Sequence, residues 1–539
     1  MRIVLALVFT CAVAFAAIYD LQTLKTKDNS LAKDYYLHRL LEENQISKKE
    51  ANSLRKQIFR YAGKIKKDLE KLVPPPKAYV DPKYAKCYNY TTKTITEANT
   101  TCQKFRLSSL AFISNLDTNT RQNLAYHYKG SDLSTLLLAF NDTNILTFLV
   151  NNQNSKDFIR TFTFLKASDL DNVNASFLNE LAKQNGFAKF AQDLIIKKQA
   201  PKLRSSFVKI DPSMVSEGVA FYLGVNALLF NDEKKALAFF QKAYESFDKA
   251  ADKDNALFWI WQINKKKEHL QSLAKSQSLN IYSLYAKELM REPLPPITFL
   301  EAKDTKSNFN MKDPFLWQST AKKIQKASPK ELETLAKEFN SKHTLPIYAY
   351  ILERQFKFKN NYFIMPYYEF IKDYDTKRQA LILAIARQES RFIPTAVSTS
   401  YALGMMQFMP FVANHIAQKE LKLKDFDQDD MFDPKTAYFF ANHHLNYLEE
   451  RLKSPVFIAY AYNGGIGFTN KMLARDDMFK KGKFEPFLSM ELVPYQESRI
   501  YAKKVLANYI AYLHLLNDNT KISSIFESLV QNTEPSRKD

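Results

Sequence analysis

The stretch from Arg378 to Pro410 contains the residue type that most directly indicates chemistry, a carboxylic acid in an apolar helix. Leu381, Ile385 and Glu389 lie at positions i, i+4 and i+8, so a helix here places the acid on its apolar stripe. A carboxylate directed inward is unfavourable unless it is paired or used. Because Pro394 disfavours helical backbone at the residue before it, we expect the helix to end soon after Glu389, beside a loop.

Two later segments supply polar groups at helix ends. One helix is predicted to end at an Asn-Gly-Gly turn, where glycine lets the backbone approach a ligand and where Tyr462 and Asn463 are presented. The last long helix carries Glu497 and Tyr501 four residues apart, on one face. We expect this pair to recognise a polar ligand, and a salt bridge from Glu497 to a nearby Arg or Lys is the alternative.

A single acid surrounded by Ser, Gln, Tyr and Asn suits general acid/base chemistry on a sugar acetal. No Walker motif, GxGxxG, HExxH, Cys/His cluster or GxSxG elbow is present. The aspartates from Asp425 to Asp430 alternate as in a calcium loop, but the loop glycine is missing and Thr436 replaces the closing glutamate, so we expect no metal and no cofactor. Ordinary glycosidases use two carboxylates, and the sequence shows no obvious second one near Glu389.

Length and composition predict an almost all-helical protein of several domains. The chain has 539 residues, too many for one core, and only 10 are glycine, which leaves little material for hairpins. The net charge of +20 permits an anionic partner, with solvated helix faces as the alternative. A triple proline at residues 74–76 separates an N-terminal helical pair from the rest of the chain. The proline-rich stretch from Arg291 to Pro314 is the best candidate for a linker between domains.

The N-terminus and the cysteines indicate export. The first residues, MRIVLALVFTCAVAFAA, are typical of a signal peptide, and we expect cleavage after Ala16. An uncleaved membrane anchor is the weaker interpretation. Export implies a periplasmic protein that does not meet nucleic acid. Cys87 and Cys102 would then pair, closing a loop of about 16 residues for roughly 3 kcal/mol. Two unpaired buried thiols are the alternative.

Several ordered motifs of the C-terminal third closely resemble those of the soluble lytic transglycosylases of family 1. The resemblance covers roughly residues 366–520, and the N-terminal two thirds resemble the family only in architecture. The motifs are Arg387-Gln388-Glu389-Ser390, the run Gly404-Met405-Met406-Gln407-Phe408-Met409-Pro410, Ala461-Tyr462-Asn463-Gly464-Gly465, and Glu497-Ser498-Arg499-Ile500-Tyr501. The departures are conservative: Met405 stands where the family usually has leucine, and Gly464 where alanine is common.

The resemblance implies a role for each matching residue. Glu389 would be the catalytic acid and base, and Ser398 and Tyr462 would orient it. The residues expected to line the sugar subsites or meet the N-acetyl group are Gln407, Met409, Asn463, Glu497 and Tyr501.

The resemblance also implies an all-α architecture and an activity. We expect a signal peptide (1–16), a superhelical U-shaped or doughnut-shaped solenoid (17–300), a helical linker domain (301–365), a goose-lysozyme-like catalytic domain (366–520) and a tail (521–539). The expected reaction is cleavage of the β-1,4 bond of peptidoglycan without water, leaving 1,6-anhydro ends. The expected state is a monomer that binds glycan strands, with cell-wall synthesis proteins as candidate partners. The alternatives are a goose-type lysozyme-like hydrolase and a non-catalytic cell-wall scaffold.

Overall fold

The computed structural model describes residues 19–75 and 79–530, and its secondary structure is almost entirely helical. The all-α prediction is therefore confirmed. Within the described residues the only sheet has two parallel strands, β1 Ile297–Phe299 and β2 Asn361–Phe363. The predicted signal peptide, 1–16, lies outside the described residues.

The α-helices follow one another along the chain with short connections. The first ten are α1 Leu21–Thr26, α2 Leu31–Glu42, α3 Lys48–Leu54, α4 Gly63–Leu72, α5 Pro82–Ala85, α6 Thr100–Leu107, α7 Leu110–Ser114, α8 Thr118–His127, α9 Asp132–Ala139 and α10 Ile145–Asn151. The next ten are α11 Ser155–Phe164, α12 Ala175–Ala182, α13 Phe187–Ile196, α14 Pro201–Ser206, α15 Glu217–Leu229, α16 Glu233–Ser246, α17 Ala250–Asn264, α18 Lys267–Ala274, α19 Ile281–Met290 and α20 Pro314–Lys326. The last ten are α21 Pro329–Glu338, α22 Leu345–Gln355, α23 Thr376–Ser390, α24 Pro410–His415, α25 Pro434–Leu452, α26 Pro455–Gly464, α27 Ile466–Leu473, α28 Phe487–Glu491, α29 Gln496–Leu515 and α30 Ile522–Leu529.

The chain divides into two compact units that are not contiguous in sequence. The first comprises Met1–Pro76, Pro296–Gly467 and Tyr501–Lys521, so far as these residues are described. The second comprises Lys77–Pro295, Phe468–Ile500 and Ile522–Asp539, with the same restriction. Each unit thus combines segments that are far apart in the sequence, whereas the domain limits expected from the sequence are contiguous. Those limits stay a prediction.

The second unit consists largely of helices that pack on their neighbours in the chain, as in an α-solenoid. Helices α15 and α16 form a hairpin. Asp232 is the N-cap of α16, and its side chain accepts the amide of Lys235. Gly224 of α15 allows the close approach of these helices, since a Cβ there would lie 2.8 Å from the ring of Phe240. The disulfide between Cys87 and Cys102 is formed, which confirms the predicted pairing.

Two long stretches whose apolar spacing is helical are each divided into two helices. The stretch from Asp132 to Val150 forms α9 and α10, and the stretch from Ser176 to Lys198 forms α12 and α13. Between α9 and α10 the side chain of Asp142 accepts the amide of Asn144, and this local bond competes with helix propagation. Apolar periodicity carries across such a turn, so the periodic pattern alone does not reveal the break.

The first unit surrounds the predicted catalytic stretch. Helices α20, α21 and α22 share a core that includes Trp317, Leu335 and Ile351, and Ile393, just after α23, belongs to the same core. Helix α21 begins with a capping box formed by Ser328 and Glu331. The segment taken as a linker and the segment taken as catalytic are thus joined by common packing.

Helix α2 binds the acidic stretch that resembled a calcium loop. Arg39 donates to Asp427 at 2.8 Å and to Asp429 at 3.0 Å. Tyr35 and Tyr36 each donate a hydroxyl hydrogen bond to Asp429, at 2.5 and 2.8 Å. These two aspartates thus hold helix α2 in place.

No described helix combines the length and the hydropathy that crossing a bilayer requires.

Candidate active site

Glu389 lies in the last turn of α23, as predicted. The helix begins at the N-cap Asp375, whose side chain accepts the amide of Arg378 at 3.0 Å. It ends at Arg391, which adopts the left-handed conformation with φ 58°. Leu381 and Ile385, the two residues on the same stripe, are buried, and Glu389 itself is half-buried. The carboxylate therefore stands at the boundary between an apolar core and the loop that follows.

A phenol holds one oxygen of this carboxylate. The hydroxyl of Tyr501, on α29, donates a hydrogen bond of 2.7 Å to Oε1 of Glu389. The Tyr501 side chain is only 5 % exposed, so its position is set by packing. The sequence-based role for Tyr501 was contact with the N-acetyl group of the ligand, and that role stays a prediction.

A second phenol, Tyr462 of α26, lies near the same acid. Its hydroxyl donates to the carbonyl of Met406 at 2.8 Å. Burial raises the pKa of Tyr462 well above its usual value, and the negative charge of Glu389 raises it further. Tyr462 is therefore a neutral hydroxyl near the acid at any physiological pH, and its predicted orienting role stays a prediction.

The loop from residue 391 to 409, which follows the helix of Glu389, is held by its own hydrogen bonds. Leu403 and Phe408 exchange backbone hydrogen bonds of 2.8 and 3.0 Å. The side-chain nitrogen Nε2 of Gln407 donates to the backbone carbonyls of Ala396 and Gly404, at 3.2 and 2.7 Å. The predicted subsite residue Gln407 thus braces the loop with its NH2 group and retains its amide oxygen as an acceptor.

Gly404 is required by the geometry of this loop. Its φ is +76°, and a Cβ at this position would lie 2.0 Å from the carbonyl oxygen of Met431. Ser390, next to the acid, donates its hydroxyl to the carbonyl of Met405 at 2.8 Å, which joins the end of α23 to the loop. The segment Gly404-Met405-Met406 is therefore in contact with Met431 and hydrogen-bonded to Ser390.

Ser398 lies in the same loop, where its hydroxyl oxygen accepts two backbone amides. Its Oγ accepts the amides of Ser400, at 3.2 Å, and Ala402, at 2.9 Å. The side chain thus closes a local turn, whereas Tyr501 donates a hydrogen bond to Glu389. Direct orientation of the acid by Ser398 stays a prediction.

The remaining predicted site residues are accessible to different extents. Met409 and Asn463 are partly buried, at the ends of the 391–409 loop and of α26, and Glu497 is exposed in the first turn of α29. The turn after Asn463 has the expected glycine conformation, with φ +88° at Gly465. Their roles as ligand contacts stay predictions.

The sequence reasoning missed a buried ionic network beside the acid. Glu353 of α22 accepts from Arg387 at 3.2 Å and from Arg391 at 3.0 Å, two residues on either side of Glu389. Arg387 also donates to Asn508 of α29 at 2.8 Å. Burial, with Arg391 nearby, lowers the pKa of Arg387 to about 10, against the opposing effect of Glu353, so it is still charged at neutral pH.

A histidine was missed as well. The ring of His444, on α25, lies 5.8 Å from the ring of Tyr462 and 6.0 Å from that of Phe408. Burial lowers its pKa to about 4, so the imidazole is neutral at pH 7. No motif marked this residue, because its contacts come from segments far apart in the chain.

The site as a whole defines a class: an all-α domain with one carboxylic acid at a helix end, held by a buried phenol. Residues 367–484 match the model of the transglycosylase SLT domain family. This segment is therefore similar to the transglycosylase SLT domain, and the resemblance found in the motifs is confirmed.

Curated relatives agree with this assignment. The chain is 27 % identical over 217 residues to the soluble lytic murein transglycosylase of Escherichia coli K12, a match that covers 39 % of this chain and 33 % of that protein. It is 35 % identical over 111 residues to the membrane-bound lytic murein transglycosylase C of Sodalis glossinidius, covering 18 % of this chain and 30 % of that protein. The match thus spans about a third of these relatives.

Solved structures align over more of the chain. A complex of the 70-kDa soluble lytic transglycosylase with bulgecin A aligns with 95 % of this chain and 84 % of its own, at 17 % identity and a TM-score of 0.47. An inactive mutant of the lytic transglycosylase Slt from Pseudomonas aeruginosa aligns with 94 % of this chain and 84 % of its own, at 14 % identity and a TM-score of 0.46.

Proposed function

We propose that this protein is a periplasmic lytic transglycosylase that cleaves the β-1,4 bond between N-acetylmuramic acid and N-acetylglucosamine in peptidoglycan. The observation that carries the proposal is the half-buried Glu389 at a helix end, with a buried phenol bonded to one of its oxygens. The family of residues 367–484 and the names of the curated relatives support it. The chain acts as a monomer on glycan strands and does not bind nucleic acid, and cell-wall synthesis proteins are its candidate partners.

The reaction needs one acid that gives and then takes a proton. The hydroxyl of Tyr501 donates to Oε1 of Glu389, which holds the carboxyl group in place for this proton transfer. Glu389 donates this proton to the glycosidic oxygen as the C1–O bond breaks, and the leaving sugar departs with a new hydroxyl. The acetamido carbonyl of the muramyl residue stabilises the positive charge at C1, the part that a second carboxylate has in ordinary glycosidases.

The second half of the reaction returns the proton. The carboxylate of Glu389 removes the proton from the C6 hydroxyl of the muramyl residue, and that oxygen bonds to C1 to close the 1,6-anhydro ring. The acetamido carbonyl is released in the same step, no water is consumed, and Glu389 is again protonated. A hydroxyl group both donates and accepts, so Tyr501, which is bonded to Oε1 of Glu389, can stay hydrogen-bonded to the acid as its proton leaves and returns.

Analysis of the products tests this proposal. Purified protein is incubated with isolated sacculi, and the released fragments are separated and weighed by mass spectrometry. We expect muropeptides that end in 1,6-anhydromuramic acid, each lighter by one water than a hydrolytic product. Reducing muramic acid ends would instead identify a hydrolase of the goose-lysozyme type. Binding to sacculi without release of any fragment would identify a scaffold.

The proposed domain limits can be tested in the same preparation. We propose a superhelical domain at 17–300, a linker domain at 301–365, a catalytic domain at 366–520 and a tail at 521–539, with a signal peptide at 1–16. The packing shared by α20 to α22 and Ile393 argues that the catalytic segment depends on the linker helices. Limited proteolysis should therefore leave residues 301–365 attached to the catalytic segment, and N-terminal sequencing of the exported protein should begin at Ala17.

A further inference from the structure

One face of α25 leads from the candidate active site to solvent. Phe440, His444, Tyr447 and Arg451 are separated by four, three and four residues, the spacing that places side chains on the same side of a helix. Phe440 is buried and His444 is half-buried, whereas Tyr447 is 37 % and the Arg451 side chain 46 % exposed. We call the last three of these residues the α25 face.

The α25 face is continuous with the site. The His444 ring lies 5.8 Å from the ring of Tyr462, whose hydroxyl binds the loop next to Glu389. On its other side the His444 ring lies 6.1 Å from the ring of Tyr447, and the two are nearly parallel, at 17°. The rings of Tyr462, His444 and Tyr447 thus form a row that leads from the vicinity of Glu389 towards solvent.

Arg451 ends the row in a fixed arrangement. Its guanidinium carbon lies 3.9 Å from the centroid of the Tyr447 ring, and its Nη1 donates to the Tyr447 carbonyl at 2.9 Å. The pair with Glu450 at 3.4 Å is a surface pair, with the Glu450 side chain 74 % exposed, so it leaves most of the charge available. No hydrogen bond from Nε or Nη2 is formed within the described residues, which leaves donors for a planar anion.

We propose that the α25 face is an accessory binding site for a carboxylate of the substrate, outside the catalytic centre. The ligand class is the carboxylate-bearing peptide attached to a muramyl residue of a glycan strand, and this choice rests on the proposed function. Arg451, held against Tyr447, binds the carboxylate through its free N–H groups, and little side-chain entropy is lost because the guanidinium is already stacked. His444 contributes an uncharged ring, so the positive charge of the face resides on Arg451.

Two substrates separate this role from a structural one. The first is a soluble glycan fragment with its peptides and free carboxylates, and the second is the same fragment after an amidase has removed the peptides. For Arg451→Ala we expect KM to rise about tenfold on the first substrate, with kcat unchanged, and no change on the second. Arg451→Lys keeps the charge but loses the planar fork, and should give an intermediate KM.

The matched control is Lys435→Ala, which removes an exposed cation from the opposite side of the same helix. It should leave both KM values unchanged. The proposal is overturned if Arg451→Ala behaves like Lys435→Ala on both substrates, or if it lowers turnover equally on both, which would mean a structural role.

Direct binding keeps this test apart from the proposed function. Calorimetric titration of the wild-type chain with a disaccharide–peptide, free and with its carboxylates amidated, requires no turnover. Tighter binding of the free form, lost in Arg451→Ala, supports the site even if no anhydro product is ever formed. Equal affinity for the free and amidated forms would contradict it.

Discussion

The hydroxyl of Tyr501 donates a 2.7 Å hydrogen bond to Oε1 of Glu389, across 112 residues of sequence. Tyr501 is buried on α29, and Glu389 lies at the end of α23. The two helices are also joined through Arg387 and Asn508. The acid therefore owes its position to a partner that packing has immobilised, and this relationship leads to the first two predictions.

Replacement of the acid by its amide should abolish turnover. Glu389→Gln retains size and hydrogen bonding, but an amide cannot donate and recover the proton that the proposed reaction needs. We expect no detectable release of muropeptides, together with unchanged thermal stability and binding to sacculi. The control is Glu338→Gln, an exposed carboxylate at the end of α21, which should retain activity. Turnover by Glu389→Gln would rule out the proposed mechanism.

Removal of the phenol hydroxyl should slow the reaction without unfolding the protein. A hydrogen bond to a charged group contributes about 1.5–3 kcal/mol, so Tyr501→Phe should lower kcat roughly 10- to 100-fold, with little change in KM. Tyr512→Phe is the matched control, because Tyr512 is a buried tyrosine of the same helix whose hydroxyl donates to the carbonyl of Ile364 at 2.9 Å. Equal effects of the two substitutions would show that only the packing of α29 is involved.

Loss of Glu353 should destabilise the first unit. Its side chain is 6 % exposed, and it is the carboxylate that pairs with Arg387 and Arg391. Glu353→Ala leaves a buried guanidinium without its anion, at a cost of about 3–5 kcal/mol. We expect a lowered Tm in calorimetry and a fall in kcat. Glu333→Ala, which breaks the exposed pair with Lys337, should change Tm little, and a similar result for Glu353→Ala would contradict the role of the network.

A methyl group at residue 404 should disrupt the loop beside the acid. Gly404→Ala requires φ +76° of an alanine and brings its Cβ within 2.0 Å of the Met431 carbonyl, so the loop must shift. We expect a loss of stability above about 2 kcal/mol and a large loss of activity. Gly467→Ala adds a methyl group in open space and serves as the control. Crystallography of an active Gly404→Ala protein with an unmoved loop would disprove the requirement.

The protein should become less stable as the pH is lowered, because of His444. Burial lowers the pKa of this imidazole to about 4 from 6.5, while Glu420 opposes the shift and His443 adds to it. Below about pH 6.5 the unfolded chain binds a proton that the folded chain does not, so stability decreases from about pH 6.5 to about pH 4, by up to ~3 kcal/mol. The Tm of the wild type should therefore fall more steeply than that of His444→Gln between about pH 7 and pH 4.5. Parallel curves for the two proteins would contradict the buried neutral imidazole.

The sequence by itself determined the elements that depend on neighbouring residues. The end of α23 near Glu389 follows from Pro394, and the start of α21 follows from Ser328 and Glu331. The cysteine pair and the motif around the acid were likewise predicted without coordinates. These features are local in sequence or belong to recognisable patterns, so their residues carry the information.

Only the tertiary structure decided which distant groups meet. Tyr501 is bonded to the acid, and Gln407 braces its own loop. Glu353, from the predicted linker, pairs with the arginines on either side of Glu389. Apolar periodicity predicts that a helix face is buried, but it does not say against which other face. Partner choice is set by the packing of the whole unit, and the chemistry of this site depends on it.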